Sequence, residues 1–303
     1  MRHFYFFILF SFFVLCASSA EDFGVGQFSK ASFYSAQLGK EWPYSVYLPP
    51  DYYSKSDQKF PVVYLLHGMT NNYNSFNANN LAKVFNKLIN EGILPQTIFV
   101  APQGFGYSWW VNSSVYGNIE DAIIKDLIPM AEQTYRIDKS RGKRAVSGIS
   151  MGGYGALRLA LIYPQLFYSA ILLSPAVFYP LPGNEVIYSG GNAHGWYYTF
   201  VVGKTRGKGV FGKPFDPMYY LSLNYRRLFP GYLKKNIKVK FYVAYGDKDN
   251  ITDNATKNMI AYFKMRCYPI EIVQIPGAHN WATWKKAYAR ILDASIFAGS
   301  SPG

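Results

Sequence analysis

Thiol, imidazole and acid are scarce in this sequence. Its 303 residues hold two cysteines, four histidines and 18 Asp plus Glu, set against 31 Lys plus Arg for a formal net charge of +13. Two cysteines exclude a disulfide-stapled scaffold, and with four histidines they leave little from which to build a zinc site. No metal and no cofactor is therefore expected. No long polar tract, internal repeat or linker-like stretch is present, which argues against a disordered chain. The shortage of acid invites a nucleic-acid reading, but the basic residues are spread through the chain. They are denser only at 139–144, 204–213 and 234–240, with no aromatic-basic strip or base-reading motif beside them. Nucleic acid is not expected as a partner. The charge instead suits contact with an anionic surface or polymer, such as acidic polysaccharide or lipid headgroups. Apolar material is plentiful: half the residues are hydrophobic and 18% are aromatic, enough for one large core at this length.

The first twenty residues differ from the rest. A short basic start (Met1, Arg2, His3) precedes an apolar run of 13 residues from Phe4 to Cys16, then the small residues Ala17, Ser18, Ser19 and Ala20. A membrane-spanning helix needs roughly 20 apolar residues, so the pattern predicts a secretory leader cut after Ala20. The rivals are an uncleaved anchor and a lipid anchor at Cys16, the latter disfavoured by bulky Leu15. Cleavage removes one base, Arg2, and no acid, which lowers the charge to +12. It also removes Cys16, so Cys267 is left as an unpaired thiol, and a secreted or periplasmic location follows.

Beyond residue 20 the chain alternates strand and helix patterns. Residues 33–48 read as an antiparallel pair turning at 38–41. Residues 61–66, 97–101, 144–147, 169–173, 239–244 and 270–275 read as strands, and 81–90, 118–135, 152–163, 253–266 and 282–297 as helices. The alternation implies an α/β fold with a doubly wound, mostly parallel sheet and helices on both faces. It lapses over about 175–236, a glycine- and aromatic-rich stretch read as an inserted cap. Residues 21–303 are taken as one domain.

Gly148-Ile149-Ser150-Met151-Gly152-Gly153 matches G-x-S-x-G between a strand and a helix. Such a sharp turn holds a serine hydroxyl out above the strand end, and its glycines relieve the backbone crowding. A serine hydroxyl needs a base. His67 precedes the serine and His194 follows no acid that ends a strand, whereas His279 follows the strand 270–275 directly. His279 is therefore the candidate base. The acid that would orient it lies in Tyr245-Gly246-Asp247-Lys248-Asp249-Asn250: Asp249 is preferred for its distance past the strand end, with Asp247 and Asp253 as alternatives. An oxyanion would be met by the amide of Met151, after the nucleophile, and by that of Met69 in the loop Leu66-His67-Gly68-Met69, which His67 would support. Trp109, Trp110, Trp281 and Trp284 flank these loops, and Trp109, Trp110 and Trp281 are candidate substrate contacts.

These motifs fall in one order: Val46-Tyr47-Leu48-Pro49-Pro50, Leu66-His67-Gly68, Ser108-Trp109-Trp110, Asp126-Leu127-Ile128-Pro129, Tyr135-Arg136, the run from Ser147 to Gly153, Tyr245 to Asp249 and Gly277 to Trp281. In that combination the chain resembles the esterase D branch of the α/β-hydrolases, with its feruloyl and acetylxylan esterases, S-formylglutathione hydrolases and secreted mycolyltransferases. The resemblance covers roughly residues 30–295 and implies an α/β-hydrolase fold with Ser150, Asp249 and His279 as triad. Two departures stand out: Ala278 where esterases of this group carry a second glycine, and the asparagine-rich run at 71–77. The expected activity is hydrolysis of a small-molecule or carbohydrate-linked ester through an acyl-enzyme. The alternatives are a mycolyltransferase-type acyltransferase using the same triad, and a catalytically idle surface binding protein.

Overall fold

Uninterrupted apolar runs set the centre of the molecule. The computed structural model describes residues 24–179, 209–212 and 216–299. The expected leader, His194 and much of the expected cap therefore lie outside the described residues. Strands β3 (Val62–Leu66), β4 (Ile98–Pro102), β7 (Arg144–Ile149) and β8 (Ser169–Leu173) are buried along their full length, as strands covered on both faces must be. With β1 (Gln27–Ser35), β2 (Lys40–Leu48), β9 (Lys240–Gly246) and β10 (Ile270–Ile275) they form one sheet in the order β1-β2-β4-β3-β7-β8-β9-β10. β2 pairs antiparallel with β1 and β4, and the remaining neighbours are parallel. A separate two-residue hairpin joins β5 (Asn112–Ser113) to β6 (Gly117–Asn118).

Side chains alternate across a strand, and the two faces carry two cores. Val62, Tyr64, Leu66, Val146 and Leu172 pack under α3 (Ile119–Ala122), α4 (Ile128–Thr134), α5 (Met151–Ile162), α7 (Tyr225–Leu233) and α8 (Asp253–Met265). Val63, Leu65, Phe99 and Ile171 pack on the other side under α1 (Ser75–Ala78), α2 (Leu81–Asn90) and α9 (Trp281–Ile291). This is the doubly wound sheet expected from the alternation. The chain steps outward from β3 to β4, then returns past β3 to β7 and continues through β8, β9 and β10. The direction reverses between β3 and β7, and in such sheets ligands bind outside the carboxyl ends of the strands at that point.

Three local expectations change. The helix expected over 118–135 is interrupted by a π-turn at Ile123–Leu127, because Pro129 has no N–H for the carbonyl four residues back. The helix expected over 282–297 ends at Ile291; Leu292 is extended, and the Asp293 carboxylate accepts from the Ser295 amide at 2.7 Å to start a short 3-10 turn. Within 175–236, where the alternation lapses, α6 (Pro217–Ser222) and α7 form behind side-chain caps from Asp216 and Asn224. Among the described residues no helix is long and apolar enough to cross a membrane.

Candidate active site

Ser150 stands at the reversal point, between β7 and α5, with φ 55 and ψ −113. A non-glycine residue held there is strained and persists only where its surroundings fix it. Its amide donates to the Leu173 carbonyl at 2.8 Å, and its own carbonyl accepts from Tyr154 and Ala176 at 3.1 and 3.0 Å. The turn leaves no room beside it. A Cβ on Gly148 would lie 2.0 Å from the Gly152 carbonyl oxygen, and one on Gly152 would lie 1.9 Å from that of Leu66.

Asp249 and His279 arrive on the loops after β9 and β10. His279 Nε2 lies 2.9 Å from Ser150 Oγ, and His279 Nδ1 lies 2.9 Å from Asp249 Oδ2. A carboxylate accepts, so Nδ1 carries the proton and Nε2 is free to accept from the serine. Asp249 is 1% exposed. Burial alone would raise its pKa, but the bond and charge of His279, the Thr252 amide and the Ser174 hydroxyl outweigh it and hold the carboxyl at about 2. Trp284 packs edge-on against His279 at 5.0 Å and donates its indole N–H to Ser174 Oγ at 3.2 Å.

The alternative acids sit elsewhere. Asp247 Oδ1 accepts from the Gly277 amide at 2.8 Å, while the Asp247 amide donates to Ile275 and the Lys248 amide to Gly277. Asp247 thus ties the His279 loop to the end of β9. Asp253 begins α8 and pairs with Lys257 at 2.8 Å.

The loop after β3 borders Ser150. A Cβ on Gly68 would stand 3.6 Å from Ser150 Cβ, which brings the loop that carries Met69 beside the serine. His67 is wholly buried: its Nδ1–H donates to the Gly68 carbonyl at 2.8 Å, and its Nε2 accepts from the Gly104 amide at 2.8 Å. Burial lowers its pKa to about 4 against the partly opposing hydrogen bonds of Gly68 and Gln103. The ring is therefore neutral and serves as a two-ended brace.

Two of the expected substrate contacts are corrected. Trp109 and Trp110 are 2% and 0% exposed. Trp110 lies against Gly104 and Gly155, where any Cβ would come within 2.6 Å of the indole side chain, and its Nε1 donates to the His67 carbonyl at 3.1 Å. Both tryptophans brace the site from beneath. Trp281 is half-buried beside the histidine loop and meets Phe76 and Trp284 edge-on at 5.5 and 5.4 Å. Sequence reasoning missed Thr252 and Ser174, although a threonine three residues past an aspartate is a common turn-capping spacing. It also missed the buried Glu120–Arg158 pair at 2.6 Å, which fastens α5 to α3.

Residues 35–294 match the sequence profile of a family described as "Putative esterase". An endo-1,4-beta-xylanase/feruloyl esterase of Xylanibacter ruminicola is 28% identical over 172 residues, which cover 53% of this chain and 23% of that protein. An acetyl esterase of Caldicellulosiruptor saccharolyticus is 24% identical over 272 residues, 86% of this chain and 95% of the relative. The chain thus spans under a quarter of the first relative and nearly all of the second. Among solved structures, a ferulic acid esterase matches with a TM-score of 0.72 over 90% of this chain and 99% of that one, at 20% identity. The shared architecture is the α/β-hydrolase fold.

Proposed function

The chain belongs to the esterase family, and from that footing we propose that it is a secreted serine carboxylester hydrolase acting on acetyl or feruloyl esters, carbohydrate-linked ones included. The observation that carries this reading is the unbroken hydrogen-bond chain Ser150–His279–Asp249, with both imidazole nitrogens engaged at 2.9 Å. The relatives named for feruloyl and acetyl esters motivate the choice of acyl group. The apolar run ahead of Ala20 supports export, with residues 21–303 as one domain and an insertion over about 175–236.

Ser150 Oγ attacks the ester carbonyl carbon while its proton passes to His279 Nε2. The imidazolium is stabilised by Asp249, whose carboxylate is held ionised. The carbonyl oxygen becomes an oxyanion, met by the amides of Met69 and Met151 and favoured by the positive end of the twelve-residue α5. Collapse breaks the bond to the alcohol, which takes the proton from Nε2 and leaves. Water then attacks the acyl-serine, giving its proton to His279, and the second collapse returns that proton to Ser150 as the acid departs.

Ser150→Ala decides the matter. The purified variant should lose p-nitrophenyl acetate hydrolysis and fluorophosphonate labelling together, and His279→Ala should be similarly inactive because such residues act as a unit. Turnover by Ser150→Ala at the parent rate would overturn the scheme. Release of acetate or ferulate from a panel of acetyl, butyryl and feruloyl esters tests the acyl assignment.

A further inference from the structure

The positive charge of this chain has a place in the structure. Two adjoining clefts, of about 630 and 210 Å³, share Tyr232 and flank the chain segments that lead into β9 and β10. Arg226, Arg227, Lys234 and Lys235 line the larger, Lys238 and Arg266 the smaller, and no acidic residue lines either. None of these six cations forms an ion pair with a described residue. Among the described residues their charge meets no carboxylate.

Two of them are held in place. The Arg226 guanidinium lies over Tyr179 at 4.1 Å and over Tyr262 at 4.7 Å, while Arg266 lies over the same Tyr262 ring at 5.2 Å. Aromatic faces fix such groups without neutralising them. Arg226 Nε is also buried without a hydrogen-bond partner. Bringing two guanidinium groups to one ring costs like-charge repulsion, which an anion in the clefts would offset.

The clefts lie at the amino ends of β9 and β10, whereas Ser150, Asp249 and His279 lie beyond carboxyl ends. Helix α5 runs from one end to the other, and its twelve residues span about 18 Å. A small ester in the active site does not reach this face.

We propose that these clefts form a second, non-catalytic site that docks a polyanionic polysaccharide, one carrying carboxylate or sulfate groups along its chain. Two concave, basic clefts side by side suit a polymer strand better than a flat bilayer. Tyr232 and Tyr268, the aromatic residues of the clefts, are 2% and 8% exposed, and so offer no stacking platform for nucleic-acid bases. Docking there would keep the enzyme on a polymer while its active site works on esters nearby, raising the effective concentration of linked substrate. The inference does not depend on the esterase reading, because binding is read without turnover.

The test is affinity electrophoresis of the full chain through gels containing polygalacturonate, with dextran, single-stranded DNA and phosphatidylglycerol vesicles as comparisons. Polygalacturonate should retard the protein, dextran should not, and added salt should weaken the effect. The triple variant R227E/K234E/K238E, all exposed positions, should bind at least tenfold more weakly while keeping its p-nitrophenyl acetate kcat/KM. A control triple reversal at Lys30, Lys83 and Lys285 makes the same net charge change elsewhere. The proposal is overturned if polygalacturonate fails to retard the protein, if the control weakens binding as much, or if DNA or vesicles bind through these residues and polygalacturonate does not.

Discussion

Thr252 holds Asp249 from two sides: its amide donates to Oδ1 at 2.9 Å, and its hydroxyl donates at 3.0 Å to Oδ2, the oxygen that also faces His279. The hydroxyl therefore fixes the carboxylate in the orientation that receives the imidazole. Thr252→Val keeps the shape and the amide but removes this bond. A hydrogen bond to a charged group is worth about 1.5–3 kcal/mol, so kcat should fall roughly tenfold or more with KM little changed. Thr252→Ser should recover most of the loss. Initial rates on p-nitrophenyl acetate check both.

Acid should weaken this protein over two successive pH windows. His67 has a folded pKa near 4 against 6.5 ordinarily, so its contribution is complete above the ordinary value and lost as pH falls toward 4. Asp249 is held at about 2 against 3.8, so its contribution is complete above the ordinary value and lost between there and 2. The shifts correspond to roughly 3 and 2 kcal/mol. Urea midpoints measured from pH 7 to pH 2 should decline first through the histidine window. His67→Gln should flatten that upper part, and Asp249→Asn the lower.

Two glycines should answer to alanine with opposite signs. At Gly152 the added Cβ would sit 1.9 Å from the Leu66 carbonyl oxygen, in the elbow itself. Gly152→Ala should abolish esterase activity or soluble expression. Gly231, within α7, has nothing within 4 Å of the same position, and Gly231→Ala should stabilise by about 0.5–1 kcal/mol through the unfolded state. Thermal melts of the two purified variants separate the cases.

The buried Glu120–Arg158 pair should show strong coupling. Arg158 also donates to the Leu223 carbonyl at 2.5 Å, and both side chains are nearly inaccessible. Removing either partner strands a charge in the core, so Glu120→Leu or Arg158→Met alone should cost about 3–5 kcal/mol. The double variant should cost far less than the two together. A double-mutant cycle by urea unfolding measures the difference.

The parts of this site that could be read in the sequence are those whose chemistry is local. The elbow is written into Gly148, Ser150 and Gly152 because the crowding is between close neighbours. His279 was reached because few histidines compete for the role. What was not legible depends on contacts across the fold. No local pattern says that Trp110 lies under the loop at His67, or that the Trp284 indole reaches Ser174 at the end of β8. Helix α7 hid behind Pro230, which sits inside it, and the hairpin β5–β6 is too short to show a period. The basic clusters at 139–144 and 234–240 gave no sign of which members stay free. In the fold Arg144 is buried against Glu132, and Lys238 lies open beside a cleft.

The position of β10 carries a consequence for how activity is lost. It is the last strand of the sheet, paired on one side alone, and five of its six residues are partly accessible or exposed, so among the sheet strands after β3 it has the least holding it. Local opening begins at such margins. The nucleophile, by contrast, leaves a strand buried along its whole length. Mild denaturant or heat should thus detach the histidine loop first, leaving an inert but largely folded particle whose recovery needs one strand to reseat rather than a chain to refold.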